Sequence, residues 1–309
     1  MLYKSADSRQ PDIDTLTALA ARPDVETSTR RRIEAEIRKI RAGAAGEHDA
    51  AYFIDFDSAD SPNRAVIHDL RIEGGDHPAQ IDHVIVTRLL EIFVLETKHF
   101  TDGVGVNDHG EWVGYWRGEA HGIPSPIEQN RRHAVVLHEL IDLGMVPLPR
   151  RLGITLKPTI ESFVLVSASA KITRPRGKAA AASVDGLDHV IKADQLSTHL
   201  SARVDRMSSL AVVRGVSRFI TKKELTNIAS ALVALHSPIR TDWAARFGLA
   251  HVPSAPAVRV IPVEPATPIT TCAQCRRPIS DKVAAYCAAN TPRFGHRILC
   301  YDCQRATAT

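Results

Sequence analysis

The chain has 309 residues, 44% hydrophobic and 24% charged, with a formal net charge of +4 at pH 7. This is the composition of an ordinary folded protein with one sizeable core and appendages, and the charge is too small to demonstrate a polyanionic partner by itself. No apolar run approaches the ~18 residues of a membrane helix, and Met1-Leu2-Tyr3-Lys4-Ser5-Ala6-Asp7 lacks a signal-peptide core, so no membrane association and a cytoplasmic location are expected.

Residues 12 to 42 carry Leu16, Leu19, Val25, Ile33, Ile37 and Ile40 at mostly helical spacing, interrupted at Pro23, which predicts two short helices. Arg30-Arg31-Arg32 reads as a solvated face balanced by Glu26, Glu34 and Glu36. Gly43 and Gly46 mark an expected break, after which Glu47 stands near the start of a new helix through Ala50, Ala51, Phe53 and Ile54.

Ala65 to Ile72 predicts a strand, with Gly74-Gly75-Asp76 as the turn into the next one. Gln80 to Val86 and Ile92 to Lys98 are β-branched runs that carry ionisable residues where core strands should have none. A side-chain period of two puts Asp82 on one face of its strand and puts Glu96 and Lys98 together on one face of theirs. If the pair closes as a hairpin at Arg88-Leu89-Leu90, Asp82 lies opposite Glu96. Two crowded carboxylates repel and resist desolvation unless a cation binds between them. Oxygen-only ligands point to Mg²⁺ or Mn²⁺, and Lys98 is placed to hold or activate an attacking water. His83 alternates with Asp82 and should face away.

Trp112, Val113, Tyr115 and Trp116 have strand density, expected as a packed edge strand rather than a base-stacking platform. Pro124-Ser125-Pro126 opens a helix through Gln129 to Ile141. Within it His133 and His138 are five apart, not on one helical face, and are read as structural. Ser162 to Ser167 and Val190-Ile191-Lys192 predict further strands, joined through the basic loop Lys171 to Lys178, which is either a phosphate contact or a plain surface connection. Two helices are expected between Asp205 and Leu235, the second opened by a capping-box spacing at Thr221-Lys222-Lys223-Glu224.

Five prolines between 251 and 270 predict an extended tether. All five cysteines follow it, between Cys272 and Cys303, which in a reducing compartment implies metal rather than disulfides. Cys272-x-x-Cys275, 24 residues, then Cys300-x-x-Cys303 is a strong Zn²⁺ pattern, since four thiolates close a tetrahedral site. Cys287 is expected to be a buried free thiol, and His296 is not counted as a ligand. The expected organisation is a helical segment 1–42, a catalytic domain 43–200, a helical extension 201–250, a linker 251–270 and a zinc-ribbon-like module 271–309.

The Asp82…Glu96-x-Lys98 set resembles the signature of restriction-endonuclease-like nucleases. With Gly46-Glu47-His48-Asp49-Ala50-Ala51, Gln80-Ile81-Asp82-His83 and Pro126-Ile127-Glu128-Gln129 in the same order, the chain resembles the nuclease-related domain (NERD) family over about residues 43 to 145. The resemblance implies an α/β fold, a mixed sheet flanked by helices, and a metal-dependent nuclease acting on nucleic acid, DNA ahead of RNA. It also implies Glu47 as a third acidic group reaching the metal through water, and Gln129 as an assisting residue. Leu89-Leu90 stand where a hairpin favours Gly or Asn, and His99-Phe100-Thr101-Asp102 replaces the family's polar-aromatic-Gly continuation. The alternative is a nuclease-fold protein of little or no activity that binds nucleic acid or a protein through its cysteine module and basic loop.

Overall fold

The computed structural model describes residues 1–74, 77–100, 102–116, 118–177, 181, 184–205, 218–250, 271–277, 279 and 281–306. The Gly75-Asp76 turn, Lys178 of the expected basic loop, residues 206–217 of the helical stretch expected between Asp205 and Leu235, and the expected tether 251–270 lie outside them. The chain divides into two compact units, Met1–Ala250 and His251–Thr309. Among the described residues, no helix is long and apolar enough to cross a membrane.

The first unit is built on a six-stranded mixed sheet in the order β1-β2-β3-β4-β10-β12. These strands are β1 (Leu2–Lys4), β2 (Arg64–Gly74), β3 (His77–Thr87), β4 (Glu91–Lys98), β10 (Thr159–Val166) and β12 (Val190–Lys192). The β2-β3-β4 meander is antiparallel, while β1, β10 and β12 join in parallel. The side-chain period of two then separates two cores. Val84, Val86, Ile92 and Val94 pack with α3 (Pro126–Asp142) and α5 (Lys222–Ala234). Ile85, Phe93 and Leu95 face the other way and pack with Ala50 and Ile54 of α2 (Thr27–Ser58). The sheet is thus flanked by helices on both faces, as the α/β expectation requires. The Thr221–Glu224 capping box is formed, and α5 packs beneath it on the sheet.

Helix α2 differs from expectation. It runs unbroken for 32 residues through Gly43 and Gly46, so Glu47 lies in mid-helix and not at a helix start. Propensity alone suggests a break, but tertiary packing overrides it. Ile33 and Ile37 bury the front half against α1 (Gln10–Ala20), and Ala50 and Ile54 bury the back half against the sheet. Gly46 lies where the two halves meet: a Cβ there would stand 2.6 Å from the His99 Cβ, so the helix passes the end of β4 only because residue 46 has no side chain.

The β3–β4 turn forms without Gly or Asn. Leu90 takes φ +58 and is fully buried, so burial of its side chain offsets a left-handed backbone that costs about 1–2 kcal/mol. A second sheet, β11-β5-β6-β7, contains β5 (Gly103–Val106), β6 (Trp112–Trp116), β7 (Glu119–Ile123) and β11 (Lys171–Thr173). Strand β6 is therefore an inner strand, hydrogen-bonded on both sides, and not the expected edge. The expected basic loop likewise begins as a strand, because Lys171–Thr173 pairs with Gly103–Gly105.

Asn130 on α3 is 1% exposed and its Nδ2 donates to the carbonyls of Val94 (3.0 Å) and Phe163 (2.8 Å), stapling the helix to two adjacent parallel strands. Asn130→Leu keeps the branched outline of the side chain but leaves both bonds unmade. Urea unfolding should show a loss of about 1–3 kcal/mol; an unchanged midpoint would mean that the staple contributes nothing.

Candidate functional site

Within the hairpin, His83 pairs with Leu95 and Val86 with Ile92, a register that sets Asp82 across from Glu96 on the neighbouring strand. The Thr97 N–H donates to Asp82 Oδ2 at 2.7 Å. Glu96 is 3% exposed, and a buried carboxylate needs partners. Lys98 Nζ lies 2.7 Å from its Oε1, and Gln129 Nε2 donates to the same oxygen at 2.7 Å. Lys98 Nζ also donates to Gln129 Oε1 at 2.9 Å, which closes a triangle of Glu96, Lys98 and Gln129.

Helix α3 supplies Gln129 because Ser125 caps it, its hydroxyl accepting from Glu128 N at 3.2 Å, and Pro126 starts the first turn. One turn on, the same face carries His133, whose Nδ1 is 3.4 Å from Glu96 Oε2. Neither of those two atoms has a hydrogen-bond partner, although both are buried. His133 is therefore a residue of this site rather than the structural residue expected. The signal was its i,i+4 spacing from Gln129, not its spacing from His138.

Glu47, Asp82, Glu96, Lys98, Gln129 and His133 line one cavity of about 620 Å³. All five expected residues are thus brought together, Glu47 arriving from α2 just beyond the close approach at Gly46. Arg9, Lys39, Trp243 and Arg246 also wall the cavity. Nothing in the hairpin pattern signals these four, because they come from distant stretches of chain.

The electrostatics are those of crowded acids. Burial, then the charges of Glu96 and Glu47, holds the Asp82 carboxyl well above the usual carboxylate range, against the opposing pull of the Thr97 N–H and Lys98. Burial also pushes Glu47 up, to about 7, with Asp69 and Glu96 adding to it and Arg9 and Lys98 opposing. Nothing in the local sequence pattern marks Asp69. It lies on β2 between the pairs His68–His83 and Leu70–Ile81, with φ +52, a conformation that Asp tolerates. Its carboxylate accepts from Gln80 Nε2 (3.0 Å) and from the Asp7 N–H (3.1 Å).

The second unit holds a different donor set. The sulfurs of Cys272, Cys275, Cys300 and Cys303 all lie within 4.8 Å of one another, the one group among the described residues that brings three or more such ligand atoms so close. At Cys272, burial opposes but backbone N–H groups of Cys275, Cys300 and Gln274 prevail, bringing the thiol down to about 6. Burial and the neighbouring thiols push Cys303 up to about 12. Cys287 is buried outside the group, its sulfur accepting from Gln304 Nε2 at 3.2 Å. His296 is not part of the group.

The family model of the nuclease-related domain (NERD) matches residues 42–167, which include all five expected residues of the cavity and His133. No curated protein and no solved structure matches the chain.

The crowding predicts a pH dependence. Glu47, raised from 4.5 to about 7, binds its proton more tightly folded than unfolded, and Asp82 shifts in the same direction. These two acids hold more protons folded than unfolded, so their contribution to the stability of the metal-free protein falls as pH rises through this window, while the lowered pKa of buried His68 and His83 acts the other way. In chelator, the melting temperature of wild type should therefore fall relative to that of Glu47→Gln between about pH 5 and 7.5. Equal pH slopes in the two proteins would remove the crowding.

Proposed function

We propose, on the premise that the chain carries a nuclease-related domain, that residues 42–167 hydrolyse phosphodiester bonds of nucleic acid with a divalent cation. The observation that carries the reading is the Glu96–Lys98–Gln129 triangle set beside Asp82 in one cavity. The donors fit a hard cation. The three acids offer carboxylate oxygens, and Glu96 Oε2 is a buried oxygen with no hydrogen-bond partner. Asp82 and Glu96 would hold Mg²⁺ or Mn²⁺, with Glu47 supporting through water. When bound, the ion would polarise the phosphoryl oxygen and lower the pKa of a bound water.

The chain's own residues divide the remaining work. Lys98 has three N–H donors, of which Glu96 and Gln129 take two. The third is left for the attacking water or a phosphate oxygen. Gln129 locks Glu96 through Oε1, which keeps Oε2 available for the ion. His133 faces that same oxygen.

Calorimetric titration with Mn²⁺, run beside cleavage of single- and double-stranded DNA and RNA, tests this reading. Asp82→Ala and Glu96→Ala should each lose ion binding and cleavage. Lys98→Ala should keep the ion and lose about 10²–10⁴-fold in rate. Undiminished Mn²⁺ binding by both carboxylate variants would sink the shared-ion site.

We also propose that the four thiols hold one structural Zn²⁺, because sulfur donors suit zinc and so short a module has little core of its own. Apparent binding of about 10–16 kcal/mol is then folding energy for the module. Cys272→Ser with Cys275→Ser should leave the melting of residues 1–250 and the cleavage of short substrates unchanged, and weaken binding of longer nucleic acid, where a second tethered contact acts through effective concentration. Metal analysis, thermal melts and fluorescence anisotropy measure these outcomes. Wild-type protein without stoichiometric zinc would overturn the assignment.

A further inference from the structure

A row of polar groups runs across the sheet beneath α2, from Asp55 to Thr97 at the cavity wall, and the chemistry proposed above does not use it. His68 and His83 are 3% and 1% exposed and pair directly across β2 and β3. Their Nδ1 atoms are 2.8 Å apart. His68 Nε2 lies 3.1 Å from Asp55 Oδ1 on α2, and His83 Nε2 lies 3.0 Å from Thr97 Oγ1 on β4.

Only one proton arrangement satisfies all three contacts with neutral rings. The Asp55 carboxylate only accepts, so His68 donates from Nε2. Its Nδ1 must then accept from His83 Nδ1–H, and His83 Nε2 must accept from the Thr97 hydroxyl. Four elements are thereby joined in one directed chain. One end touches the cavity's machinery and the other sits on the helix that supplies it. The Thr97 N–H donates to Asp82 Oδ2, and Asp55 lies eight residues, a little over two turns, beyond Glu47 on the same helix.

We infer that Asp55, His68, His83 and Thr97 form a positioning relay that fixes α2, and with it Glu47, against the strands that carry Asp82 and Glu96. This rests on the proposed cation site. Apolar residues could fill the same volume, but they would leave α2 free to slide along the sheet, since apolar packing lacks direction. A hydrogen-bonded relay sets one register, in the manner of the outer partners that orient metal ligands.

The test compares pairs of variants in the full-length protein. Asp55→Leu and Thr97→Val break the relay at its two ends, whereas Asp55→Asn and Thr97→Ser keep its acceptor and donor. Mn²⁺ affinity should fall by about 10-fold or more in the first pair and stay within about twofold of wild type in the second. In a Glu47→Gln background, Asp55→Leu should bring no further loss, because the two act as one unit. Equal losses in both backgrounds, or unchanged affinity in the first pair, overturn the relay. Hydrogen exchange at the Gly46 and Glu47 amides of metal-free protein gives a second readout. It should quicken with Thr97→Val but not with Thr97→Ser, and equal protection in both overturns the relay even if wild type binds no Mn²⁺. Absence of Mn²⁺ binding in wild type would by itself remove only the cation reading.

Discussion

A carboxylate at Glu96, with its side chain 4% exposed, is the constraint on which the first unit turns. An ionised group so enclosed is stable only if charge and hydrogen bonds surround it. The strand must therefore continue two residues to Lys98, and α3 must begin where Ser125 and Pro126 begin it, so that Gln129 reaches the same oxygen. Asn130, the next residue of that helix, uses its buried amide to fasten the helix to β4 and β10. The end of a strand, the start of a helix and the tie between them thus converge on one buried side chain. The partial satisfaction of Glu96, with one oxygen accepting from both Lys98 and Gln129 and the other without a hydrogen bond, is what turns a structural requirement into a candidate cation site.

The second determinant is backbone proximity. Helix α2 serves two cores, one with α1 and one with the sheet, and delivers Glu47 at the crossing between them. It can do so only by pressing against His99, and Gly46 is what allows that approach. The acid it delivers is buried and meets the negative charge of Asp69 and Glu96, which Arg9 and Lys98 oppose only in part. Such local conflict with folding stability is expected where chemistry is done.

The two units embody two kinds of donor chemistry. The cavity of the first uses hard oxygen donors with a lysine and an amide among them, and its acids stand apart and repel one another. The second gathers four sulfurs within 4.8 Å of one another, a closed set with a buried fifth thiol left outside it. The first arrangement suits an ion that meets substrate, the second an ion that holds a fold.

The sequence by itself determined what depends on local spacing. The β-branched runs, the two-residue period that puts Glu96 and Lys98 on one face, the register that sets Asp82 across from Glu96, the capping box at Thr221 and the paired cysteines all follow from short-range geometry. The Leu90 turn, the unbroken course of α2 and the inner position of β6 did not, because each is decided by packing between distant segments that outweighs a local propensity of about 1–2 kcal/mol. The same holds for His133, whose role depends on which strand α3 crosses, and for Asp69 and the His68–His83 pair, which acquire meaning only when β2 is laid against β3. Arg9, Lys39, Trp243 and Arg246 complete the cavity from outside residues 42–167, and only the tertiary structure brings them to it. Spacing within a strand or helix is written in the chain, whereas contact across hundreds of residues is set by how the cores close.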